Sequence, residues 1–343
     1  MMVLQRFLGK RIVKTGLAVF FTALICEFLN WPPVFAVITA IVTIEPTVAD
    51  SIKKGMVRFP ASAIGSAYAV LFISLFGNSP LTYMLAAVLT IATCSSLKLH
   101  DGLLVATLTS VAMVEVIHDH FLISFFIRLG TTTIGLGVST LVNMFILPPD
   151  YRGEIKEQIQ QLVNQTSLIT KKVFHQLMEG KQIHSKLKQT TLPNLEKKIL
   201  KTEGLIRFQK EESKYHPLTP SEQARFQLIQ KQLKNLRLIH EHLDNLVNTP
   251  IDEIHWTQEE QKIIVDVVEN LCKQLLHSKE YNLESLHEAE KQIIEVFIED
   301  NEEIMRENKN RLTKFPPKLI VLYEFISVFE LVVDFIKNRE TQL

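Results

Sequence analysis

The chain has 343 residues, and its 37 Lys and Arg balance 37 Asp and Glu. The same balance holds within the charged C-terminal half, which excludes a nucleic-acid footprint. Three cysteines, two of them in apolar segments (Cys26, Cys94) and one in the charged half (Cys272), exclude a disulfide framework.

From about residue 15 to 147 the chain is almost continuously apolar, and from Tyr151 onward it turns to Lys, Glu, Gln and Leu. A bilayer core of about 30 Å needs about 20 apolar helical residues to cross. Six stretches approach that length: 15–30, 34–50, 59–76, 81–97, 103–117 and 121–147. The pattern predicts an all-α protein, a six-helix transmembrane domain over 1–150 followed by a cytosolic antiparallel helical bundle over 151–343. The cationic, then apolar opening is read as an uncleaved first span, because no small-residue cleavage site stands near Leu24-Ile25-Cys26-Glu27. The breakers are Trp31-Pro32-Pro33, Gly77-Asn78-Ser79-Pro80, a turn at 98–102, and His118-Asp119-His120.

Lys and Arg near span ends set orientation. Arg6, Lys10, Arg11 and Lys14 precede the first span. Lys53, Lys54 and Arg58 lie between the second and third, Lys98 between the fourth and fifth, and Arg152 and Lys156 follow the sixth. The alternate loops carry none, so both termini are expected in the cytoplasm. Small residues recur at every fourth position, as in Ala61/Gly65/Ala69, Ala86/Thr90/Cys94 and Thr131/Gly135/Ser139. That spacing suits close helix packing in lipid; the alternative is a substrate path lined by small side chains.

Ionisable residues inside the apolar half are the candidates for function, since such groups are costly in a bilayer and usually face a cavity, a partner or a substrate path. Glu27 and Glu115 fall about one turn from the outer ends of their spans and Arg128 about two, and the three are expected to form an ion-paired cluster near the outer face. Glu45 stands inside the second stretch, beside Pro46, on a helix that also carries Thr39, Thr43 and Thr47. Two readings stand open for it. One is a proton-coupling carboxylate near a broken helix, with Thr43, Thr47 and the carbonyl freed by Pro46 coordinating substrate or water. The other is a carboxylate at the cytoplasmic surface capped by Lys53 or Lys54.

The C-terminal half predicts helices over 152–189, 192–213, 220–248, 257–279, 281–310 and 317–338. Phe226, Ile229, Leu233, Leu236, His240, Leu243 and Val247 form a heptad stripe of coiled-coil type, with His240 as a polar register residue. Capping boxes open two helices, at Thr219-Pro220-Ser221-Glu222 and Thr257-Gln258-Glu259-Glu260. The last helix is the most apolar, but Glu324, Glu330 and Asp334 interrupt it, which makes it a central helix or a dimer face rather than a seventh span. Phosphate loops, dinucleotide fingerprints and metal-spaced Cys or His pairs are absent from the sequence. No cofactor or metal and no enzymatic activity are expected; three adjacent residues, His118, Asp119 and His120, are poorly spaced to converge on one ion.

The stretch from Ile38 through Ile44-Glu45-Pro46-Thr47, then Ser51-Ile52-Lys53-Lys54-Gly55 and Arg58 to Gly65, resembles the aromatic acid exporter family, within the wider fusaric-acid-resistance-like group. Arg58, Ala61, Ser62 and Gly65 stand where the family tends to have Arg, Gly, Thr and Gly, so Pro60 and Ala61 depart from the pattern. The resemblance implies a bacterial inner-membrane exporter of aromatic carboxylic acids with six spans and a C-terminal helical domain. Its family-motif residues here are Pro46, Ser51, Lys53, Lys54, Arg58 and Gly65.

Two functions are weighed. The first is a gradient-driven exporter of small organic anions, with proton coupling at Glu45 and anion attraction at Arg128, working in the bilayer as a homodimer or higher oligomer. The second is a membrane scaffold or sensor whose cytosolic bundle dimerises and recruits partners.

Overall fold

The computed structural model describes residues 9–116, 121–180, 183–249, 254–276, 283–307 and 316–340. These are all-α: twelve α-helices and two short, wider helical turns, with no strand among the described residues. They divide into two compact units. Met1–Asp150 together with Phe208–Pro217 makes the first; Tyr151–Arg207 together with Leu218–Leu343 makes the second.

The first unit holds α1 (Lys10–Phe28), α2 (Val34–Thr43), α3 (Val48–Phe76), α4 (Pro80–Ser96), α5 (His100–Val116) and α6 (Phe121–Leu141), which runs on into a wider turn, Val142–Ile146. Helix α3 packs against α4, α5 and α6, and α1, α2 and α6 pack against one another. Two of these helices, Val48–Phe76 and Phe121–Ile146, are long and apolar enough to cross a bilayer. Side chains are distributed opposite to a water-soluble core. The buried face of α3 carries Ser51, Gly55, Arg58, Ala61, Ser62, Gly65, Ser66 and Ala69. Large apolar residues such as Met56, Leu75, Leu104, Leu122 and Phe126 point outward. In water this arrangement would waste the hydrophobic drive; in lipid, small residues inside and large ones outside let backbones pack closely.

Two expected boundaries need correction. The stretch 34–50 is not one helix, because α2 stops at Thr43 and the chain is non-helical until Val48. Pro46 has no N–H to give and disfavours the helical region for Glu45 before it. Thr47 then starts α3 by accepting from the Asp50 N–H at 3.0 Å. The second correction follows: Lys53, Lys54 and Arg58, expected in a loop, lie on α3, which begins eleven residues before the expected start at 59. Two further starts come earlier than expected: α1 at Lys10, so that Lys10, Arg11 and Lys14 lie on it, and α5 at His100 within the turn placed at 98–102.

The second unit holds α7 (Arg152–Met178), a wider turn Leu187–Thr191 leading into α8 (Leu192–Glu212) as far as Arg207, α9 (Pro220–Asn248), α10 (Gln258–Leu276), α11 (Leu283–Glu307) and α12 (Pro317–Glu340). The expected helix over 152–189 ends early, as the chain turns at Gly180 with φ of +63°. Both capping boxes are present: Glu222 and Thr219 exchange hydrogen bonds at the start of α9, and Glu260 and Thr257 do so before α10. Helix α12 packs against α9, α10 and α11, burying Leu322, Phe325, Val328, Phe329, Val332 and Phe335, so it is a central helix. His240 points its Nε2 at the Leu192 carbonyl, 3.1 Å away, while His242 meets Glu324 on α12.

Candidate functional site

Arg128 lies two turns into α6 and is 3% exposed. Its Nη2 donates to Thr109 Oγ1 on α5, and its guanidinium carbon lies 4.4 Å from the centroid of the Phe35 ring on α2. Nε and Nη1 are buried with no hydrogen-bond partner among the described residues. A cavity of about 70 Å³ adjoins it, lined by Pro32, Phe35, Met113, Ser124, Ile127 and Thr131. A buried guanidinium with unmet donors at the wall of a mostly apolar chamber is arranged to take an anion, whose oxygens accept what the protein does not.

The expected ion-paired cluster of Glu27, Glu115 and Arg128 does not form. Glu27 is exposed, and Glu115, also exposed, accepts from Tyr83 Oη at 2.7 Å. Arg128 occupies the face of α6 that is buried toward α2 and α5, whereas the two carboxylates point outward. The His118-Asp119-His120 turn lies outside the described residues.

At the opposite end of α3 and α6 a polar knot surrounds the break at 44–47. Glu45 is ion-paired with Lys54 Nζ at 2.9 Å and with Arg58 Nη2 at 2.7 Å. Lys53 is exposed, so Lys54 and Arg58 hold this carboxylate and Lys53 does not. The carbonyls released by the end of α2 are taken by side chains: Ser51 Oγ donates to Thr43 O at 3.3 Å, Arg11 Nη2 to Ile44 O at 3.4 Å, and Asn143 Nδ2 to Glu45 O at 3.3 Å. Asn143 also donates to Ser51 Oγ at 3.0 Å and accepts from Lys14 Nζ at 2.8 Å. The threonines expected to coordinate a substrate have their hydroxyl protons engaged. Thr43 Oγ1 donates to Thr39 O at 2.7 Å, and Thr47 Oγ1 donates to Glu211 Oε2 at 3.4 Å. Glu212, 1% exposed, accepts from the Val48 N–H at 3.1 Å and sits 2.7 Å from His216 Nδ1. Gly65 serves packing: a Cβ there would meet the Ala106 carbonyl oxygen of α5 at 2.4 Å.

Of the residues singled out in the sequence, Glu45, Ser51, Lys54 and Arg58 thus converge, Thr43 and Thr47 flank them, and Arg128 stands apart. Sequence reasoning missed Asn143, Lys14, Phe35 and Thr109. Asn143 carried a signal, being the lone side-chain amide in the run 121–147. Phe35 and Thr109 carried none, because apolar and hydroxyl residues are common in every span.

Residues 6–146 match the family described as Aromatic acid exporter family member 1. A UPF0421 protein of Oceanobacillus iheyensis is 48% identical over 97% of this chain and 96% of its own length. The chain belongs to the aromatic acid exporter family. Its similar relatives include a UPF0421 protein of Bacillus cereus, 44% identical over 95% of this chain and 92% of its own. Another, from Staphylococcus haemolyticus, is 40% identical over 81% and 84%. Membership of this transporter-type family makes the chain a membrane protein, in keeping with the two bilayer-length helices and the outward-facing apolar side chains.

Proposed function

We propose that the chain is a multi-pass exporter of small aromatic carboxylates or similar organic anions in a bacterial inner membrane. Both termini are cytoplasmic, and the six apolar helices of each chain work as a homodimer. The observation that carries the reading is Arg128: a buried cation, two of its nitrogens without partners among the described residues, beside a chamber with a mostly apolar lining. A carboxylate satisfies those donors, and Phe35, Met113 and Ile127 offer apolar surface to the rest of the acid. The chamber fits the carboxylate end as it stands. An engineered cavity of about 150 Å³ is what takes a benzene ring, so the ring of an aryl acid requires Phe35 or the chamber mouth to give way.

The test compares efflux of benzoate, 4-hydroxybenzoate and cinnamate from preloaded cells with and without the gene. Cells carrying it are expected to empty faster. Arg128→Gln, at equal membrane abundance, should raise the half-saturating concentration about tenfold or more, the loss of one charge-assisted pair. Equal efflux with and without the gene would overturn the exporter reading and leave a scaffold or sensor in its place.

A further inference from the structure

We infer that Arg58 is a second anion-binding site, for the carboxylate of the same organic anion, and that Glu45 is the counter-ion this carboxylate displaces. The inference rests on the exporter reading and adds a second station to it.

Arg58 is 7% exposed and uses two of its three nitrogens. Nη2 donates to Glu45 Oε1 and Nε to the Asp101 carbonyl at 3.3 Å, while Nη1 is buried with no partner among the described residues. Its donors are therefore only partly met, as at Arg128. The pairing is also lopsided, since the single Glu45 carboxylate serves both Lys54 and Arg58. An arriving carboxylate is able to take Arg58 while Glu45 keeps Lys54, so neither acid is left without a cation. Glu45 is suited to such a shift. It sits in the non-helical stretch 44–47, where its backbone carbonyl accepts from Asn143 Nδ2 and its N–H donates to Ser51 Oγ, so its side chain can swing without unwinding a helix.

The two arginines are also connected. Helices α3 and α6 run antiparallel, with Ser51 against Asn143 at one end and Ser62 against Thr132 at 3.3 Å further along. Arg58 precedes Ser62 by one turn and Arg128 precedes Thr132 by one turn, on opposite sides of that hydroxyl pair. At 1.5 Å per residue the arginines lie about 12 Å apart along the helix axes. Buried hydroxyls bridge the interval: Ser66 Oγ donates to Ser62 O, and Thr132 Oγ1 to Arg128 O. These hydroxyl protons are engaged, so a carboxylate moving between the two relies on the unmet donors of the arginines at either end. Two partly satisfied cations at this spacing suit transit, where each site must hold the anion without trapping it.

The experiment uses full-length protein in nanodiscs and radiolabelled benzoate as the probe. Wild type is expected to bind two benzoates per chain, and Arg58→Gln one. Glu45→Gln, which removes the competing carboxylate, should tighten binding about tenfold. Arg58→Lys, which keeps the cation, should retain the second site. Thermal unfolding of each variant reports folding; should Arg58→Gln fail to fold, the Glu45→Gln result decides alone. Unchanged stoichiometry and affinity in Arg58→Gln would overturn the second site, as would unchanged or weaker binding in Glu45→Gln. Failure of the exporter reading looks different: wild-type protein then binds no benzoate at all.

Discussion

Partly buried charge also gathers around Lys318, where Asp300 Oδ2 is left without a hydrogen-bond partner among the described residues. In the second unit Lys318 donates to Glu260 at 2.8 Å and to Asp300 at 2.7 Å, beneath the Trp256 ring at 5.3 Å. Burial alone would raise the Glu260 carboxyl, but hydrogen bonds from Lys318 and the Thr257 N–H hold it below the usual range. Burial dominates at Asp300 and, despite Lys318, pushes its carboxyl up. Burial works against the Lys318 ammonium, yet its two carboxylates carry it above the ordinary lysine value. The signs differ accordingly. Lys318 contributes stability that is complete below about 10.4, the unfolded lysine value, and lost as pH rises through its raised folded value. Glu260 contributes above about 4.3, the unfolded glutamate value, and loses that as pH falls through its lowered folded one. Asp300 binds its proton more tightly when folded, so it costs stability at neutral pH and relieves that cost in acid. Thermal unfolding of full-length protein in detergent at neutral pH should therefore rank the variants. Asp300→Asn is expected to match or exceed wild type and Glu260→Gln to fall below it. Lys318→Met should lose the most, about 3–5 kcal/mol, by stranding the buried Asp300 carboxylate and the half-buried Glu260. An Asp300→Asn protein as unstable as Lys318→Met would show that this assignment of signs is wrong.

At the scale of elements, the small-residue stripes pack closely, and one member, Thr131, also lines the chamber beside Arg128. Ala61, Gly65 and Ala69 on α3, Ala86, Thr90 and Cys94 on α4, and Thr131, Gly135 and Ser139 on α6 are all buried. The fit is tight: a Cβ at Gly135 would lie 2.4 Å from the Ala36 carbonyl oxygen of α2, as one at Gly65 would from Ala106. Backbone atoms cannot step aside as a flexible side chain can, so Gly65→Ala is expected to cost about 1–3 kcal/mol of stability. Gly137→Ala, on α6 with nothing within 4 Å of the added methyl, should be neutral or slightly stabilising because alanine favours helix. Thermal unfolding of the two variants checks this, and equal midpoints would refute close approach at Gly65. The break between α2 and α3 belongs to the same scale. Pro46 marks it in the sequence, but the length of the interruption depends on how many freed carbonyls side chains elsewhere can satisfy, and Ser51, Arg11 and Asn143 provide for three.

For the whole molecule, on the proposed exporter reading, the pairing of Glu45 bears on what would drive export. A proton taken up by Glu45 would release Arg58 for a carboxylate, so proton and anion would bind together and move the same way. An inward proton gradient would then oppose export. The electrical gradient acts in the required direction, since a monovalent anion leaving an inside-negative cell gains about 2.3 kcal/mol per 100 mV. We therefore expect benzoate efflux from proteoliposomes to follow a potassium diffusion potential imposed with valinomycin, and to be unmoved by a pH gradient with the potential clamped. Efflux that follows the pH gradient alone would restore proton coupling at Glu45.

The division into an apolar and a charged half, the helical content, the capping boxes and the family were legible in the sequence, because composition, period and short motifs are local properties of the chain. Arg128 and Glu45 stood out for the same reason, as charges in apolar runs. Their partners did not. That Arg128 meets Thr109 and Phe35 rather than Glu27 and Glu115 depends on which face of α6 is buried against α2 and α5. That Glu45 is held by Lys54 and Arg58 depends on α2 ending early enough to place it beside the first turns of α3. Attachment of Phe208–Pro217 to the first unit, with Glu212 on the Val48 N–H, joins positions 164 residues apart. A sequence fixes which groups are costly to bury; only the packed chain decides which partner relieves each of them, because that choice is made by helix rotation and long-range contact.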